Sequence, residues 1–212
     1  RIELRRAVVD LSARGLKLAA KWAAEQLLAL PEASAEDEEL VVPYSSSSSA
    51  VGSFGDKLLF AKSLFDVGEY QRAALVIAKE GAPLGNVPAL PLFVRQYALY
   101  LAGEKRKTEE TTRPTDPLAK KRAVNPNLPA LYDELAALHD AEKLDGFGCY
   151  IFGVVVRETH AAYGAAAAAG VTGASAVTAK DLFVEAVRKY PWNWSAWLDL
   201  AAACLESDTV SA

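Results

Sequence analysis

Near its C-terminal end the chain keeps a register that an isolated helix has no reason to keep: Ala179, Phe183, Ala186, Pro191, Trp197 and Leu200. Ala179 and Ala186 are small enough to let two antiparallel helices close on one another, while Phe183 and Trp197 can fill the gaps between neighbouring pairs. Pro191 then stops the helix, because it lacks the N–H that the next turn needs. A helical hairpin built this way cannot bury its apolar face alone and must stack on another. The spacing therefore predicts an all-α chain of about nine helices in antiparallel pairs, forming a right-handed superhelical stack with no sheet.

The register is that of the tetratricopeptide pattern, which repeats about every 34 residues. A second copy is visible upstream. Phe60, Ala61 and Leu64 precede the turn Asp66-Val67-Gly68-Glu69-Tyr70, and Ala73 and Ile77 follow at the spacing of a second helix. Hairpins are expected at about 1–31, 56–81, 91–143 and 147–190, with the first helix of a further repeat at 194–205. Gly103 reads as the end of a helix that starts near Leu92. Gly153 falls at the closest approach of two helices and is expected to tolerate alanine but not leucine. Three inserts interrupt the pattern: an acidic and serine-rich stretch at 32–55, a charged proline-bearing stretch at 105–126, and an Ala/Gly run at 164–176. All three read as loops that can be shortened at little cost, since loop closure changes by only about 0.6 kcal/mol per doubling of length.

Composition bounds the function classes. Half of the 212 residues are hydrophobic (51%) and the net charge of −4 is spread along the chain, which supplies a core but no basic field for nucleic acid or acidic membrane. No stretch of about 18 apolar residues is present to span a bilayer, and no secretory signal is visible. A reducing cytosol or nucleus is the expected location, with Cys149 and Cys204 as buried free thiols. The chain begins at Arg1 and ends just past a first helix, and is expected to be part of a longer polypeptide.

No constellation for chemistry emerges. His139 and His160 have no further histidine or cysteine at metal-ligand spacing. His160 lies about three helical turns from Cys149, too far along one rod for a dyad. Gly146-Phe147-Gly148 lacks the third glycine and the preceding strand of a phosphate loop, and reads as a turn entering a helix. The basic clusters Lys105-Arg106-Lys107 and Lys120-Lys121-Arg122 and the acidic run Glu36 to Glu39 read as solvated charge. Trp197 sits at a packing position, and no basic groove surrounds Trp22, Trp192 and Trp194 for base stacking. No catalytic, metal or cofactor-binding residue is assigned, and no small-molecule substrate, nucleic acid or membrane is expected as a partner.

Several strings outside the repeat consensus carry a more specific signal. Leu144-Asp145-Gly146-Phe147-Gly148-Cys149-Tyr150, with Phe152-Gly153-Val154-Val155, resembles a stretch of the family of anaphase-promoting complex subunit eight. Ala20-Lys21-Trp22-Ala23, Ala61-Lys62-Ser63-Leu64-Phe65-Asp66, Glu69-Tyr70, Arg72-Ala73-Ala74 and Tyr100-Leu101-Ala102-Gly103-Glu104-Lys105 are similar to that family in the same order, as is the segment from Pro191 to Leu200. The resemblance implies a non-catalytic scaffold in a multi-subunit ubiquitin ligase acting on cell-cycle regulators, in nucleus and cytoplasm. It implies a homodimer in which each chain's first helices lie in the partner's groove, together with contacts to other subunits of the complex. Leu4, Val8, Leu11 and Leu18 are the residues to which dimer contact is carried over, and the packing positions are Ala61, Ala73, Gly153, Ala179, Phe183, Ala186, Pro191, Trp197 and Leu200. The alternative is a different tetratricopeptide adaptor or cochaperone that clamps peptide tails, which would need a groove lined by several lysines, arginines and asparagines.

Overall fold

A computed structural model describes residues 1–31, 55–78, 86–112, 123–164 and 177–210. Among the described residues there are nine α-helices and no strand: α1 (Ile2–Ala13), α2 (Lys17–Ala29), α3 (Gly55–Asp66), α4 (Tyr70–Ile77), α5 (Ala89–Thr112), α6 (Leu128–Asp140), α7 (Gly146–Tyr163), α8 (Ala179–Lys189) and α9 (Trp194–Val210). The chain divides into two compact units, residues 1–98 and 99–212, with α5 contributing to both.

In the first unit, α1 and α2 form a hairpin around Gly15, whose φ of +73° is a backbone state that side chains other than glycine's enter at a cost. Leu16 N–H donates to Leu11 O at 3.0 Å, closing the end of α1. Val8 of α1 and Ala20, Ala24 and Leu27 of α2 are buried, and the two helices pack on one another. α2 then packs on α3, and α3 on α4 across the turn at Gly68, where φ is +80°. Leu58, Ala61 and Ile77 meet Val94 of α5 in one core, with Val87 and Leu90 against it. The guanidinium groups of Arg1 and Arg5 both pair with the Asp56 carboxylate, the Arg5 Nε to Oδ1 distance being 2.6 Å, so α1 is tied to the first turn of α3 as well as to α2. This cluster is nearly enclosed, so removal of the Asp56 carboxylate would deprive two buried guanidinium groups of a shared partner.

In the second unit α7 packs on α6 and on α8, and α8 on α9. Asp145 caps α7 by accepting from Gly148 N–H at 2.7 Å, and Thr178 with Asp181 forms a reciprocal capping box at the start of α8. The Gly146-Phe147-Gly148 turn is thus a helix entry, and its glycines are also spatially required: a Cβ on Gly146 would lie 2.9 Å from Tyr190 Cβ.

Two boundaries differ from the sequence expectation. Gly55, placed at the end of the first insert, is the buried first residue of α3. Gly103 does not end a helix: α5 continues through it to Thr112, so residues 105–112 of the second insert are helical. The glycine is there for a close approach. Asn125, fully buried near the end of the same insert, fills the notch that the missing side chain leaves, and a Cβ on Gly103 would stand 1.7 Å from Asn125 Oδ1. Asn125 Nδ2 donates to Tyr100 O and to Glu104 Oε1, each at 3.0 Å, and its Oδ1 accepts from Asn127 N–H at 2.9 Å. Asn127 Nδ2 in turn donates to Leu99 O at 2.7 Å. The C-terminal end of the 105–126 segment therefore packs, and its first eight residues extend a helix whose surface there is mostly exposed, against the reading that the whole of it is a dispensable loop. The expectations for residues 32–54, 113–122 and 165–176 lie outside the described residues.

Gly153 is also tighter than expected. A Cβ there would come within 2.6 Å of Phe183 Cε1 and 2.8 Å of Cδ1, and Phe183 is itself fully buried, so alanine already collides.

Candidate interaction surface

Most of the repeat's packing positions are interior. Ala61, Ala73, Phe183 and Ala186 have no exposed surface, and Gly153 is buried beneath the Phe183 ring. Ala179 is half-buried at the first position of α8, Leu200 is half-buried on α9, and Pro191 is exposed in the turn between α8 and α9. Trp197 is 43% exposed, with its indole Nε1–H donating to Pro191 O at 2.8 Å. Trp192 and Trp194, for which the sequence offers no role, stand beside it at 85% and 70% exposure.

The four residues singled out for partner contact do not act as one group. Val8 is 2% exposed and is a core residue of its own hairpin. Leu4 and Leu11 are half-buried, whereas Leu18 is 75% exposed. Trp22, one helical turn beyond Leu18 on α2, is 62% exposed. Leu18 and Trp22 thus form an outward apolar pair on α2 that sequence reasoning treated separately.

A groove of about 270 Å³ opens between α3 and the first turns of α5. Leu58, Leu59 and Phe65 form one wall, and Leu90, Phe93 and Tyr97 the other. The rings hold each other in place: Phe65 lies 5.2 Å edge-on to Tyr70 and 5.7 Å from Tyr97, which stacks on Phe93 at 5.5 Å. Lys62 is the single cation among the described residues that line it, and Asp66 already pairs with it one turn along α3. Capture of a carboxylate tail would require several free cations. This groove offers apolar surface instead.

The polar groups with side chains suited to chemistry are used in packing. His139 Nε2 lies 2.9 Å from Glu185 Oε2, and Lys189 Nζ lies 2.8 Å from Glu185 Oε1 and 2.7 Å from Leu144 O, so α8 is tied to α6 and to the turn that precedes α7. Burial raises the Glu185 carboxyl, but the hydrogen bonds from Lys189 and His139 outweigh it and hold it at about 2. Cys149 sits 3.5 Å from Lys189 Nζ, yet burial pushes its thiol up to about 12, with the Glu185 charge adding to the effect. A thiol held protonated in this way is a poor nucleophile. Its neighbour in space is His139, through Glu185, and not His160. Arg157 pairs with Asp199 at 2.7 Å and lies 5.6 Å over the Phe183 ring, tying α7 to α9. Among the described residues no three acidic, histidine or cysteine side chains converge as a metal group, and no helix is long and apolar enough to cross a membrane.

Residues 1–212 match the family described as anaphase promoting complex subunit 8 / Cdc23. The chain is 34% identical over 237 residues to "Anaphase-promoting complex subunit 8" of Arabidopsis thaliana, covering 96% of this chain and 37% of that protein. It is 34% identical over 187 residues to "Cell division cycle protein 23 homolog" of Homo sapiens, covering 88% of this chain and 28% of that protein. The subunit 8 protein of Dictyostelium discoideum is 27% identical over 258 residues, at 98% and 40% coverage. The chain thus spans well under half the length of these relatives.

Proposed function

Because the chain belongs to the anaphase-promoting complex subunit 8 / Cdc23 family, we propose that it is a non-catalytic scaffold segment of that ubiquitin ligase, binding a second copy of itself and other subunits of the complex in nucleus and cytoplasm. The observation that carries the self-association is the pairing of two complementary features within residues 1–98. One is the apolar groove between α3 and α5; the other is the exposed Leu18 and Trp22 pair on α2. Adjacent exposed apolar side chains, together with an apolar groove able to receive them, support an interaction site. If each copy gives its α2 face and receives the other's in its groove, the contact is isologous and closes at two. Sedimentation of the chain at tens of micromolar tests this. The parent should run as a dimer, and the double variant Leu18→Glu, Trp22→Glu as a monomer with unchanged helical circular dichroism. A parent that stays monomeric, or a double variant that still dimerises, would sink the reading.

A further inference from the structure

We draw no further inference here: the strongest candidate, the apolar groove between α3 and the first turns of α5, belongs to the self-association site already described, and nothing else in the structure shows what would cover it.

Discussion

Gly103 and Asn125 share one volume: the amide of Asn125 occupies the space where any side chain on Gly103 would begin. Gly103→Ala should therefore destabilise the chain by about 3 kcal/mol, the upper end for an overpacked site, because the buried amide cannot swing into solvent. Asn125→Ala should cost about 1 to 2 kcal/mol in lost hydrogen bonds. In that background, Gly103→Ala should become neutral or gain up to about 1 kcal/mol, since alanine is the better helix former. Urea unfolding of the two single variants and the double provides the cycle. Additive costs would show that the two residues do not compete for space.

Gly153→Ala should cost about 1 to 3 kcal/mol through its collision with the Phe183 ring. The penalty should shrink markedly when Phe183 is first replaced by leucine. An alanine variant as stable as the parent would show that α7 and α8 separate without loss.

Acid should unlock the network around Glu185. Its carboxyl titrates at about 2 in the folded chain, below the usual value of 4.5. A depressed carboxyl contributes stability above its unfolded pKa and loses it as pH falls through the folded one, so the contribution is complete above about pH 4.5 and gone near pH 2. The side chain is 35% exposed, and solvent screening reduces the effect to about 1 to 2 kcal/mol. Glu185→Gln should lower stability at pH 7 by that amount and flatten its fall between pH 4.5 and 2. Parallel pH profiles for parent and variant would refute this.

The turn between α6 and α7 carries Glu142 at φ +54°, a left-handed state for a residue with a side chain. Glu142→Gly should raise stability by about 1 kcal/mol, read as a higher urea midpoint at unchanged slope. No gain would mean that the Glu142 side chain contributes as much as its backbone costs.

Val8 and Leu18 should behave oppositely. Val8→Glu places an unpaired carboxylate inside the first hairpin and should unfold it, whereas Leu18→Glu should leave helical circular dichroism intact. Equal tolerance at the two positions would reverse their assignment to core and surface.

What the sequence discloses about this chain follows from whether the signal is periodic. Ala61, Ala73, Phe183 and Ala186 fall at fixed intervals set by helix packing, so their burial can be read from spacing alone. Gly103 could not be read that way. Glycine after an apolar helical run signals a stop, but here it admits a side chain from 22 positions later, and nothing local distinguishes the two uses. The same applies to Glu185 and His139 of α6, which lie 46 positions apart, whereas the other partner of Glu185, Lys189, stands four positions on in the same helix and is legible as a helical pair. Asp56 is equally opaque in sequence, because its arginines lie 51 and 55 residues away. Contacts that close over such distances leave no period. Val8 illustrates the converse limit: an apolar stripe shows that a face is buried but not whether its own chain or another copy buries it.

All four tryptophans lie outside the core, Trp22 in the first unit and Trp192, Trp194 and Trp197 in the second. The folded chain should consequently emit at long wavelength, as a solvated indole does, and unfolding should change that emission little. Its fluorescence would be a poor thermometer of folding and a good detector of company: a partner that covers α2 should shift the emission of Trp22 to the blue, and one that covers the turn at Pro191 should shift the other three.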